Sequence, residues 1–376
     1  MPELLKLMDD WAGYRDVRTD EMDEAKMSQL VDLIGNSARM PIHRWEYFLK
    51  EAITTSDFPY LFGQTLDIQL LAMYQLAIPD WRAYVDVGSC KDFNARRIEK
   101  VTGNEDLLDE VPEKGEYLVA PMHEGRYSIA VKKRGRQFDI SWEATVNDFL
   151  QAFTKMPARF ANAATYTEAY LATALFASAA GPNALLYGTP IADPAGGNVT
   201  NQGTLPLTIQ NVEATLALMA QQQNQDGQPL GIRGVHIVVP PALETTGRAI
   251  ITSVLKQWTE VGAGGGIPVP TVNVLPQMGL QLHVNPLLPV IDVSGNVNTT
   301  WYLFASLDQG SACELDYLLG HETPEICMKA SDKVSVTGAP LSPFSGDFAT
   351  DNIFYRVRIV CGGTQLDPRM TYAQVG

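Results

Sequence analysis

Apolar positions along the chain change period several times, and each change marks an element. After Thr19-Asp20, a natural cap, Met22, Met27, Leu30, Val31 and Ile34 fall near helical spacing, and Pro41 opens a second helical run, "PIHRWEYFLKEAI". A third stripe, Leu66, Leu70, Met73, Tyr74 and Ala77, stops at Pro79. From Trp81 the period shortens: "WRAYVDVGSC" alternates in part, and "GEYLVAPMHEGRYSIAVKKRGRQFDISWE" predicts a long hairpin whose strands are divided by Gly125 and Gly135.

The longest helical pattern follows, with Ser141 as cap and Pro157 predicted to break it into a short helix and a longer one over Ala158–Ala179. That second helix would run about 33 Å at about 1.5 Å per residue, with Phe160, Ala164, Thr167, Leu171, Ala174 and Leu175 as its packed stripe. The loop "GPNALLYGTPIADPAGGNVTNQGTLP" is the clearest punctuation in the chain. Beyond it, helix "TIQNVEATLALMAQQQ" is followed by "GVHIVVPPALETTGRAIITSVLKQW", a buried strand ended by Pro240-Pro241 and then another helix, and by strands "TVNVL", "LQLHVNPLL", "TTWYLFA" and "CELDYLL", which predicts an α/β unit with a mixed sheet. Finally, Ile353, Tyr355, Val357 and Ile359 alternate along a long strand expected to return to the first body.

Composition narrows the class. With 376 residues, 45% hydrophobic and 19% charged, the chain is globular and can bury one large core or two moderate ones. No apolar run approaches the roughly 20 residues of a membrane helix, and the acidic start lacks a signal-peptide pattern, so neither membrane insertion nor secretion is expected. Cys90, Cys313, Cys327 and Cys361 form no CxxC pair, which fits a reducing cytoplasm better than a disulfide framework. A net charge of -15 argues against a dedicated nucleic-acid binder, leaving local, weak contact with DNA.

The charge is also segregated. Glu105, Asp106, Asp109, Glu110, Glu113 and Glu116 stand against a lone Lys114, whereas Arg126, Lys132, Lys133, Arg134 and Arg136 lie in a stretch without an acid. Two opposed patches on one hairpin are candidates to meet their opposites on another copy of the chain. Motifs for chemistry, by contrast, are missing. His43, His123, His236, His283 and His321 show no metal-binding spacing, and His321-Glu322 lacks the second histidine of HExxH. "GAGGG" at 262–266 follows a helix and precedes Pro268, the wrong order for a phosphate cradle. No catalytic residue, cofactor or metal site is assigned.

The order of elements, with "TSDFP", "VNDFLQAFTKMPARFANAA", "VVPPALE", "WYLFA" and "LLGHETPEI" in succession from about Thr55 onward, resembles the major capsid proteins of tailed bacteriophages. The resemblance implies an α+β fold of the Hong Kong 97 type. Its parts would be an N-terminal helical arm at 1–56, the start of a peripheral domain at 57–100 and an extended charged hairpin at 101–141. A spine helix with the rest of the peripheral domain would occupy 142–203, an axial domain 204–345, and a C-terminal strand returning to the peripheral domain 346–376. It makes Trp301, Tyr302, Leu303 and Phe304 packing residues, like Phe160, Leu171 and Leu175, and leaves Cys313 and His321 without a chemical role. The implied function is an icosahedral head shell assembled in the host bacterial cytoplasm. Its partners would be further copies of the chain in hexamers and pentamers, packaged double-stranded DNA, and portal, scaffold or decoration proteins. An encapsulin-like cellular compartment is the alternative, opposed by the long N-terminal arm, and an unrelated α/β enzyme comes third.

Overall fold

A computed structural model describes residues 80–102, 110–111, 113–114, 123–141, 150–194, 197–224, 227–259, 268–336 and 345–376. The expected N-terminal arm, the helices before Pro79, the "GAGGG" loop and acidic residues Glu105, Asp106, Asp109 and Glu116 lie outside the described residues.

In chain order the strands β1 (Asp86–Cys90), β2 (Arg96–Thr102), β3 (His123–Ile129) and β4 (Lys132–Ile140) lead to helix α1 (Leu150–Phe176). Strand β5 (Gln202–Gly203), helix α2 (Ile209–Ala220), strand β6 (Gly234–Val239) and helix α3 (Glu244–Thr252) follow. Then come β7 (Leu255–Thr259), β8 (Pro268–Val272), β9 (Gln281–Val284), the single-turn α4 (Leu288–Ile291), β10 (Trp301–Ala305), β11 (Cys313–Leu318), β12 (Glu325–Met328), β13 (Ile353–Gln365) and β14 (Thr371–Gln374).

Two five-stranded sheets organise these elements. In the first, the long β13 is paired with β4 along one edge and with β11 and then β12 along the other, and β1 adds in parallel to β11. The second has the order β9-β6-β10-β14-β5. Thus 313–328 belongs to the sheet of β1 and β4, while 371–374 belongs to the sheet of β6 and β10.

Burial explains why "WYLFA" is apolar without alternation. Trp301, Leu303 and Ala305 enter a core with Val212, Leu216, Met219, Ile237 and Ile250, whereas Tyr302 and Phe304 point the other way into a core with Tyr84, Phe176, Leu186, Leu315 and Tyr317. A strand covered on both faces needs apolar residues at every position. All five are at most 3% exposed, and the Trp301 indole N–H donates to Leu205 O at 3.0 Å. Leu175 is buried in the second of these cores, and Phe160 and Leu171 are half-buried against it.

Three local expectations are corrected. Pro157 does not break the helix: α1 runs from Leu150 to Phe176, so the chain gives up one ladder bond and continues. The helix ends three residues earlier than expected because Ala177–Ser178 pairs with Gly181–Pro182, and the Asn183 side-chain amide donates to the carbonyls of Ala174 and Leu175 at 3.2 and 3.0 Å. Gly125 and Gly135 do not divide strands. They lie inside β3 and β4, and the break falls at Ala130-Val131. At Gly135 the missing side chain allows a close approach, since a Cβ would sit 2.5 Å from Val357 O.

Candidate assembly surface

The long hairpin read from residues 115–143 is also redistributed. Strand β3 pairs with the preceding β2, from Arg96↔Ile129 to Thr102↔His123, whereas β4 leaves that ribbon and pairs with β13 over nine residues. Of the basic segment, Arg126 therefore stands on the β2–β3 ribbon, across from Glu99, while Lys132, Lys133, Arg134 and Arg136 stand on the rim of the first sheet. The strands expected to form one hairpin thus belong to a two-stranded ribbon and to the edge of a sheet.

Register decides where each β4 side chain points, because directly opposed residues share a face. Ile353, Tyr355, Val357 and Ile359 of β13 are buried, and Phe138 of β4, opposite Tyr355, stacks on Tyr355 and on Phe160 of α1 with centroids 5.0 and 4.6 Å apart. The other face carries Arg356 and Arg358 opposite Gln137 and Gly135, with Lys133 opposite Val360. On this outer face Lys133, Gly135, Gln137, Arg356 and Arg358, with Arg136 between them, line an open depression of about 310 Å³, whereas register sets Arg134 and Arg136, opposite Ile359 and Val357, toward the other face. Gly135 deepens it by contributing no side chain.

The cations around it are not equally available. Arg358 is held by Glu325 of β12 through Nε and Nη2 at 2.9 and 2.6 Å. Burial works to raise the Glu325 carboxyl, but hydrogen bonds from His321 and Arg358 outweigh it and hold it below its ordinary value. Arg356 Nη2 lies 3.2 Å from Cys327 Sγ. Lys132, Lys133, Arg134 and Arg136 are exposed and form no ion pair among the described residues. A strand edge carrying unpaired cations repels like edges and accepts acidic partners. Arg356 and Arg358 were missed in the sequence because they lie more than 200 residues from β4, and only the strand pairing unites them.

The β2–β3 ribbon is held from its base as far as Lys100. Ile98, Ile129 and Val131 pack on Cys90, Leu318 and Val360 of the outer sheet face. Arg96 pairs with Asp316 at 2.9 Å and with Glu314, Lys100 pairs with Asp367, and Tyr127 donates to Asp193 at 2.7 Å. Glu110 and Glu113, the described members of the acidic segment, are exposed.

Nothing in this surface resembles a reaction centre. Among the described residues no group of three or more His, Cys, Asp or Glu side chains could hold a metal, and no helix is long and apolar enough to cross a membrane. A strand β10 covered on both faces, a ribbon held against the first sheet and a basic rim give this part of the molecule surfaces for contact. Residues 126–374 match the model of a family described as phage capsid protein, and the chain belongs to that family: it is a non-enzymatic subunit of a phage capsid shell. No curated protein matches it in sequence.

Among solved structures, the chain is similar to the capsid of Cyanophage P-SCSP1u, at 11% identity and a TM-score of 0.46 over 79% of this chain and 88% of that one. It is also similar to a Mycobacterium phage Ogopogo structure, at 14% identity and 0.41 over 78% and 91%. A third similarity, at 10% identity and 0.44 over 81% and 94%, is to the SrpI encapsulin complex of Synechococcus elongatus.

Proposed function

We propose that the chain forms an icosahedral bacteriophage head of the Hong Kong 97 type, assembled in the host cytoplasm around double-stranded DNA, and that opposed charge orders its subunits. The observation that carries the reading is the basic rim: Lys132, Lys133, Arg134 and Arg136 stand exposed on an edge strand, without ion pairs among the described residues, on a chain of net charge -15. The acidic stretch from Glu105 to Glu116 of a neighbouring copy is the complementary partner, reached through the β2–β3 ribbon. Each contact is modest, and repetition around every subunit multiplies them into a cooperative shell. In this reading the first sheet with α1 is the body of the peripheral domain and the second sheet that of the axial domain.

Negative-stain electron microscopy with size-exclusion chromatography tests it. The purified protein is expected to give uniform shells, or hexamers and pentamers. Changing Lys132, Lys133, Arg134 and Arg136 together to glutamate is expected to abolish assembly while leaving the circular dichroism spectrum unchanged, because these side chains are exposed and β4 is held by its backbone and Phe138. Normal shells from that variant would remove the rim from the mechanism. Nuclease-resistant DNA in particles recovered from infected cells supports a phage head, and co-purifying enzyme cargo would instead point to a cellular compartment.

A further inference from the structure

The base of the ribbon carries a charge imbalance that the basic rim does not use. Glu314 and Asp316 are two residues apart on β11, so their side chains leave the same face, and they are only 8% and 0% exposed. Arg96, at the start of β2, reaches both: its Nε and Nη2 lie 2.9 and 3.1 Å from the Asp316 carboxylate, and Nη2 also contacts Glu314 Oε1. From β1 the Cys90 thiol donates to Asp316 Oδ2 at 2.9 Å. Gly88, also on β1, leaves the space the carboxylates fill, since a Cβ there would stand 2.1 Å from Glu314 Oε1 and 2.3 Å from Asp316 Oδ1.

The surrounding elements do not correct the imbalance. Strand β13 presents Thr364 and Gly362 opposite Glu314 and Asp316, and β3 presents Ile129 opposite Arg96. On β1, Asp86 is exposed and adds only negative charge beside Glu314. The other charges at the ribbon base are engaged elsewhere: Lys100 with Asp367, and Arg369 with Asp193 and Asp367. One guanidinium thus faces two shielded carboxylates, and a fully ionised cluster retains an excess negative charge where water is scarce.

We propose that Arg96, Glu314 and Asp316 form a proton-controlled clasp that positions the β2–β3 ribbon: with one proton on the carboxylate pair the cluster is neutral and closed, and without it the excess charge loosens the hold. Burial first, then hydrogen bonding with and repulsion by Asp316, push the Glu314 carboxyl up to about 7 against the pull of Arg96. Burial and Asp316 push the Cys90 thiol up to about 12, so that proton stays in place. A carboxyl raised in the folded state contributes stability that is complete below its ordinary value and lost as pH climbs through about 7. Arg96, Glu314 and Asp316 are positioning residues within one subunit. That they tune how the ribbon is offered to a neighbour rests on the shell reading above.

Hydrogen exchange of the full-length protein between pH 5.5 and 8.5, corrected for intrinsic rates, tests the clasp. Peptides from β2 and β3 are expected to exchange about threefold or more faster at the upper end, with β6 and β10 unaffected. Glu314→Gln keeps the hydrogen-bonding shape without the titration and should hold the ribbon protected at every pH. Gly88→Ala displaces the carboxylates while the strand tolerates alanine, and should deprotect the ribbon at every pH. A flat wild-type profile, or a pH response surviving in Glu314→Gln, overturns the proposal, and the wild-type profile decides alone if a variant fails to fold. Light scattering in parallel reports on assembly separately: a pH-dependent ribbon in a protein that never assembles keeps the clasp and counts against the shell, and shells with a flat ribbon profile do the reverse.

Discussion

His236 and His283 share a hydrogen bond, Nδ1 to Nε2 at 3.0 Å, and His283 Nδ1 meets Asp80 Oδ1 at 2.7 Å. The chain of bonds is consistent when His283 Nδ1–H donates to Asp80 and its Nε2 accepts from His236 Nδ1–H. Burial first, and then the neighbouring His283, lower the His236 pKa to about 4. The unfolded chain therefore binds the extra proton first on acidification, and stability falls as pH drops from about 6.5 through about 4, by on the order of 3 kcal/mol. Urea denaturation across that range is expected to show the loss in the wild type and a flatter profile in His236→Gln; equal slopes would remove His236 as the cause. In the sequence His236 shows no metal-binding spacing, and in the structure it is buried and bonded to His283. Its partner could not be read, because His283 is 47 residues away on a strand that pairs in parallel. Glu314 and Arg96, 218 residues apart, were invisible for the same reason.

Elements were legible where the pattern was local. Alternation marked β13, the apolar run of "TIQNVEATLALMAQQQ" marked α2, which Thr208 caps in the structure, and Pro240-Pro241 after an apolar strand marked the end of β6. Pairing was not legible, because β4 looks like the continuation of a hairpin until its partner is known to be β13. Proline and glycine misled at Pro157, Gly125 and Gly135, where they serve continuity or close approach instead of punctuation. Gly135→Val tests that role: its added carbons must push against Val357 O and Arg358, so β4 should part from β13. The expected cost is about 1–3 kcal/mol, read as a lower thermal midpoint, with faster exchange in 132–140 than in β10. An unchanged midpoint would mean that β4 shifts outward freely and that Gly135 shapes only the depression.

At the scale of the whole molecule, a chain of net charge -15 repels its copies except where the basic rim offers attraction. Contacts at a solvent-exposed rim are screened over about 8 Å at physiological salt, so assembly should be strongest at low ionic strength and fall steeply toward molar salt. Sedimentation at graded salt checks this; shells indifferent to salt would shift the weight to apolar contacts. The sheets add a constraint in time. Strand β13 is central to the first sheet and β14 is internal to the second, and synthesis reaches both after every other described element. While a ribosome is still translating residues before 353, neither sheet can close, and β4 has no partner for its inner edge. Neither sheet of this body therefore closes until residues 353–374 have left the ribosome, so the order of synthesis puts the pairing of β4 with β13 and of β10 with β14 last.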